Sequence, residues 1–196
     1  MGEVVSAEAS AVVLVEGESD RLAVEALAER LQFDLIAAGA TVVPMGGVTN
    51  LRHHLAALAA SSGATRVLGL FDLGEVAHVR RAVTDAGIAA AADSGLDLAS
   101  FGFFACDPDL EGELIRAVGS ERVEELLGEH GELGRFRTFQ QQPAQRAKTT
   151  EAQLRRFMGT HSGRKARFAP ILVRAIEEPR IPAALSSLLT AAVGSA

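Results

Sequence analysis

Four short apolar runs punctuate the first half of the chain: AVVLV (11–15), TVVPM (41–45), RVLGLFD (66–72) and FGFFAC (101–106). They are continuous rather than alternating, and AVVLV is β-branched at Val12, Val13 and Val15. That pattern predicts strands buried on both faces, as a parallel sheet requires. A helix-period segment follows each run. SDRLAVEALAERL starts at Ser19, an N-cap candidate, and puts Leu22, Leu27 and Leu31 near one stripe. TNLRHHLAALAA follows the second run, and EVAHVRRAVTDAG (75–87) offers Gly87 as a C-cap. A further helix is predicted from Leu110 onward. Strand-then-helix, repeated four times, predicts an α/β fold: a parallel sheet of about four strands with helices on both faces. Ligands of such sheets bind off the carboxyl ends of the strands.

Acids stand at those ends. Glu16 follows the first strand and Asp72 ends the third. In FFACDPDLEGELIRAVG (103–119) the fourth runs into Asp107, Asp109, Glu111 and Glu113. Like charges brought to one edge raise one another's pKa and cost stability unless a cation sits among them. Oxygen donors without Cys or His partners suit magnesium or manganese rather than zinc. The five histidines, His53-His54 included, show no metal-ligand spacing, and Cys106 reads as a buried, inert thiol. Two such ions about 4 Å apart would activate a water and stabilise the leaving oxygen of a phosphodiester.

A net charge of −6 argues against a generic nucleic-acid binder, but the charges are unevenly placed. Residues 1–114 hold six Arg/Lys against 17 Asp/Glu, whereas 135–174 hold ten basic residues and one acid, Glu151. An acidic rim beside a basic segment suits a metal site next to a phosphate-binding surface. The boundaries expected are an α/β core over 8–132 and a basic, mainly helical extension over 133–196, with short helices at EAQLRRFMGT, KARFAPILVRAIEE and PAALSSLLTAAV. GELGRFRTFQQQPAQRAKTT is polar and carries no clear period, and IAAAADSGLDLAS (88–100) reads as a loop. PAALSSLLTAAV serves equally as a homodimer surface or as a helix packed on the sheet. No apolar stretch reaches the roughly 18 residues of a membrane span, and the N-terminus lacks the basic residues of a signal peptide. With a single cysteine the expected location is cytoplasmic, away from membranes. No Walker A sequence is present, so no nucleotide cofactor is expected.

LVEGESDRLAVEALAERL resembles the opening motif of the TOPRIM domain, in which a strand ends in Glu-Gly and a helix follows. GLFDLGE lies where that family has an Asp-x-Asp motif. ACDPDLEGELIRAVG and FMGTHSGRKARFAPILV are similar to the TOPRIM half of the OLD (overcoming lysogenization defect) nucleases, where a lysine follows a glycine turn. The resemblance implies a TOPRIM, Rossmann-like fold and metal-dependent cleavage of DNA. It implies Glu16, Asp20, Asp72, Asp109 and Glu111 as ligands of one or two Mg²⁺ or Mn²⁺ ions, with Asp107 and Glu113 as further candidates. It implies Glu16 and Lys165 as catalytic residues, Lys165 steadying charge on the phosphate. Arg164 and Arg167, with Lys148, Arg155 and Arg156, would position the nucleic acid. In place of the second acid of Asp-x-Asp stands Gly74, which leaves Glu75, one position on, to reach in. The ATPase half of full-length OLD nucleases is not in the sequence, so the expectation is either a stand-alone TOPRIM protein or a separate ATPase subunit as partner.

Two other readings compete with a DNA nuclease. One is a non-catalytic TOPRIM module that binds nucleic acid or protein through a degenerate metal site. The other is a phosphatase or response-regulator type of enzyme, which needs an aspartate nucleophile where this chain has Glu16.

Overall fold

The structure is a computed structural model that describes residues 10–61, 65–89, 97–161 and 163–194. Four strands form one parallel sheet: β1 (Ala11–Val15), β2 (Ala40–Pro44), β3 (Arg66–Asp72) and β4 (Phe103–Cys106), in the order β2-β1-β3-β4. Every residue of β1 is buried, as its unbroken apolar run demands. Two helices link β1 to β3 by way of β2: α1 (Glu18–Arg30) and α2 (Leu51–Ala60). The chain leaves β1 toward one edge and returns to its other side, so the order reverses between β1 and β3. In open α/β sheets that reversal is where a ligand crevice forms.

Alternate side chains of β1 feed two cores. Ala11, Val13 and Val15 pack with α1 residues Ala23, Val24 and Leu27 and with the later helices, whereas Val12 and Leu14 pack with Leu51 and Leu55 of α2 and Val79 and Val83 of α3 (Val76–Asp85). Gly87, with φ +72, follows α3 as its capping glycine. Of the loop expected over 88–100, residues 90–96 lie outside the described residues, and the last part is a 3-10 turn over Leu98–Phe101.

After β4 the chain is helical: α4 (Leu110–Val118), α5 (Ser120–Glu129), α6 (Leu133–Gln140), α7 (Thr150–Met158), α8 (Arg164–Ala175) and α9 (Ala183–Val193). Helix α6 arises where the sequence shows no clear period; its buried residues, Phe136 and Phe139, pack against the Phe157 ring with centroids 5.2 and 5.5 Å away. Helix α8 packs along α1, and α9 lies on β3 and β4. Leu185, Leu188, Leu189 and Ala192 of α9 are wholly buried, so its apolar face covers the sheet. Arginines fasten the helix ends. Arg66 Nη1 donates to Ala191 O (2.9 Å) at the end of α9, and Arg30 Nη1 to Val173 O (2.8 Å) near the end of α8. A guanidinium there satisfies an orphan carbonyl and opposes the negative end of the helix dipole. No helix among the described residues is long and apolar enough to cross a membrane.

Gly69 lets the sheet close on that core. A Cβ there would lie 2.6 Å from Phe103 Cδ1 on β4 and 2.9 Å from Cε1. Phe103 is 1% exposed and cannot swing out. Gly69→Ala should therefore lower unfolding stability in urea by about 1–3 kcal/mol, and adding Phe103→Leu should restore part of the loss.

Candidate metal and phosphate site

Glu16, Asp72 and Asp109 reach one rim because β1, β3 and β4 are neighbours, with Leu14 in register with Gly69 and Asp72 with Cys106. Leu73 N donates to Pro108 O (3.2 Å), tying the turn after β3 to the turn after β4. Helix α1 begins at Glu18 behind the N-cap Gly17, not behind Ser19. The capping contact comes from Asp20, whose Oδ2 accepts from Gly17 N at 2.7 Å. That bond folds the Asp20 carboxylate back toward the end of β1 and leaves its other oxygen free of the cap.

Asp109 Oδ1 accepts from Gly112 N (2.8 Å) and caps α4. Asp109 and Glu111 are only 8% and 7% exposed. Both have a cation from the later helices. Arg155 of α7 lies 2.5 Å from Asp109 Oδ2 through Nη2, and Lys165 of α8 places Nζ 3.0 Å from Glu111 Oε2. Gly163, left-handed at φ +82, starts α8 just before that lysine. Burial alone would lower the Lys165 ammonium, but Glu111, with Asp109 and Asp20, outweighs it and lifts its pKa.

The remaining acids feel the crowding. Burial pushes Asp72 up to about 7, reinforced by Glu16, Asp109, Asp20 and Glu111. Asp20 rises to about 6, first through burial and then through Glu111 and Glu16, against the Gly17 hydrogen bond. Glu16 is raised by burial, with Lys165 pulling it down and Glu75, Glu111 and Asp109 pushing it up. Five carboxylates thus share one electrostatic environment, and Glu75 joins them through Glu16. As the side chains stand, no three His, Cys, Asp or Glu residues among those described are gathered closely enough to hold one ion.

Asp107 is exposed, and its backbone is what engages: N donates to Glu113 Oε1 (3.0 Å) and O accepts from Arg116 Nη2. Glu113 therefore faces the end of β4 and the Cys106 thiol, whose pKa rises through burial first and Glu113 second. Beside Asp109 and Glu111 opens a cleft of about 430 Å³ lined also by Lys148, Arg155, Arg156 and Lys165. The structure does not place Arg164 and Arg167 there. Arg164 is 6% exposed, with Nη2 on Glu132 Oε2 (3.0 Å), Nη1 on Phe157 O (2.8 Å) and its guanidinium 3.9 Å over the Phe157 ring. Arg167 reaches the same side, 3.7 Å from Glu132 Oε1 and 3.0 Å from His130 O. Arg164 is thus committed inside the helical layer, and Arg167 turns away from the cleft. Sequence reading gave no role to Glu132, the buried acid that holds Arg164 and Arg135 and approaches Arg167. A lone Glu before an aperiodic segment carries no signal of burial.

Parallel strands with acids at their carboxyl ends, a Glu-Gly turn opening α1 and an acidic turn opening α4 define a TOPRIM domain. A family model described as "Overcoming lysogenization defect protein-like, TOPRIM domain" matches residues 9–73. The chain resembles the C-terminal region of the Xanthomonas campestris pv. campestris OLD protein, with 25% identity over 94% of this chain and 95% of that one, at a TM-score of 0.67. A second structure of that region gives 27% identity over 94% of each chain, at the same TM-score of 0.67. The C-terminal region of the Burkholderia pseudomallei OLD protein shares the fold at 22% identity and TM-score 0.67, over 94% of this chain and 96% of that one. No curated protein matches the sequence. The chain therefore carries a TOPRIM domain resembling that of the OLD family.

An aspartate near 7 in the folded protein and near ~3.9 in the unfolded chain favours folding in its protonated form. Its contribution is full below about pH 4 and is lost as pH rises through about 7. In EDTA, Asp72→Asn should be more stable than the parent at pH 8 by on the order of 1–2 kcal/mol, less than the full shift because the rim meets water. The gap should vanish toward pH 4, as read by urea unfolding. Arg164→Ala should cost about 3 kcal/mol at pH 8, because it leaves Glu132 buried without its one buried partner.

Proposed function

We propose that the protein is a metal-dependent nuclease that hydrolyses phosphodiester bonds of DNA at the rim formed by Glu16, Asp20, Asp72, Asp109 and Glu111. The observation that carries this reading is Asp72. It sits among four other carboxylates at about 7, while the two cations over the rim are already taken up by Asp109 and Glu111. A hard divalent cation answers that imbalance, and the donors are all carboxylate oxygens, which suits Mg²⁺ or Mn²⁺. The residues present fit the group in chemistry and charge, provided the side chains draw inward on binding. Glu16, Asp20 and Asp72 would hold one ion, Asp109 and Glu111 a second, and Glu75 stands in for the acid missing at Gly74. When bound, the metal supplies an activated water and charge for the leaving oxygen.

The chain's own residues supply the rest. Lys165 keeps its proton and lines the cleft, where it can balance charge developing on the phosphate. Lys148, Arg155 and Arg156 line the same cleft and hold neighbouring phosphates, fixing register without reading sequence. Two observations favour a second reading, a nucleic-acid-binding module without catalysis: Gly74 stands where Asp-x-Asp would have an acid, and among the described residues no three acids stand close enough to hold an ion unaided.

Supercoiled plasmid with Mg²⁺ or Mn²⁺ separates the two. Wild type should nick it, Glu16→Ala should abolish nicking, and Lys165→Met should slow it by on the order of 100-fold or more. Duplex binding without nicking, unchanged by Glu16→Ala, would favour the binding module.

A further inference from the structure

We infer that Arg155 is an exchangeable counter-ion: it holds Asp109 while no divalent cation is bound, and moves to a nucleic-acid phosphate when a cation takes that oxygen. The inference rests on the reading of the rim as a metal site. Its starting point is how the Asp109 carboxylate is divided. Oδ1 is fixed by the α4 cap at 2.8 Å from Gly112 N. Oδ2 alone carries Arg155, through Nε at 2.6 Å and Nη2 at 2.5 Å. Two donors on one oxygen are not the two-oxygen fork that makes an arginine pair hard to separate. Whatever occupies Oδ2 releases the whole guanidinium at once.

The surroundings allow the release. The Arg155 side chain is 45% exposed and lines the cleft together with Lys148 and Arg156, so it has room to rotate among groups suited to phosphate. The Arg164–Glu132 pair shows what a permanent bridge in this protein looks like: both side chains are under one-tenth exposed, and Arg164 has further bonds to Phe157 O and Thr160 Oγ1. Among the described residues, Arg155 has no such second anchorage beside its bond to Asp109. A guanidinium and a divalent cation cannot share one carboxylate oxygen without strong repulsion, so arrival of one entails departure of the other. Asp109, at 8% exposure, is never left bare, and the positive charge is handed on to the substrate. Metal and nucleic acid should therefore bind with positive, reciprocal coupling.

The test titrates Mn²⁺ calorimetrically into EDTA-stripped protein, alone and with a short phosphorothioate duplex. Arg155→Gln should bind Mn²⁺ alone about tenfold tighter than wild type, within the usual span of site-to-site coupling. The duplex should tighten Mn²⁺ binding by wild type and not by Arg155→Gln. Arg155→Lys, which keeps the charge but offers a single donor group, should fall between them and serves if the Gln variant fails to fold. Wild type that binds Mn²⁺ with the affinity of both variants overturns the exchange and leaves the metal site standing. Wild type that takes up no Mn²⁺, with or without duplex, overturns the metal reading and the exchange with it.

Discussion

Carboxylates that repel one another are brought together here by the sheet, and much of the surrounding structure answers that fact. Parallel strands in the order β2-β1-β3-β4 send Glu16, Asp72 and Asp109 to one rim, whatever the cost of their proximity. Part of the cost is met locally. Asp20 and Asp109 accept backbone N–H groups at the starts of α1 and α4, where the helix dipole also favours negative charge. The rest is met from a distance, by α7 and α8 bringing Arg155 and Lys165 over the same rim. Those helices hold their places through apolar packing: α8 lies along α1, and Leu154, Phe157, Phe168 and Leu172 share the core of α1 and β1. Hydrophobic burial thus supplies the energy that positions the counter-charges, and Asp72 is where the compensation stops short.

The sheet was legible in the sequence because its strands are unbroken apolar runs. The bounds of β1 and β3 follow AVVLV and RVLGLFD residue for residue, and TVVPM is off by one. FGFFAC was read too long, because its first residue closes a 3-10 turn and Gly102, at φ +83, changes the direction of the chain before β4 begins. Helix α6 was not legible. LGRFRTFQ offers two buried phenylalanines among polar residues, and its stability comes from the Phe157 ring rather than from its own period. Ser19 failed as a cap for a different reason: a carboxylate one residue later bonds the Gly17 N–H, moving the helix start back.

The site divides along the same line. Acids at strand ends are legible because the parallel fold dictates where strand ends lie. The cations are not, because their directions depend on helix phase. Arg164 and Lys165 are adjacent in sequence and lie about 100° apart around a helix. One goes inward to Glu132 and the other outward to Glu111. Composition sees two equivalent basic residues there. Only the packing of α8 against α1, which fixes the rotation of the helix, tells which is structural and which meets the rim. The same phase argument separates Lys165 from Arg167, two positions further along α8 and drawn to Glu132.

Want of space does not explain why Gly74 stands where Asp-x-Asp spacing would put an acid: a Cβ at that position would meet nothing within 4 Å, and the backbone there is not left-handed. The answer lies in the 3-10 turn over Leu73–Glu75, which places Glu75 where it raises the pKa of Glu16. A carboxylate is therefore delivered to the rim from this turn after all, one residue later than Asp-x-Asp spacing would deliver it. An aspartate at 74 beside Glu75 would add another negative charge to a rim where Glu16, Asp20 and Asp72 already hold raised pKa values. With Glu75 in place, a small neutral residue at 74 keeps a further charge off a rim whose two cations, Arg155 and Lys165, already pair with Asp109 and Glu111.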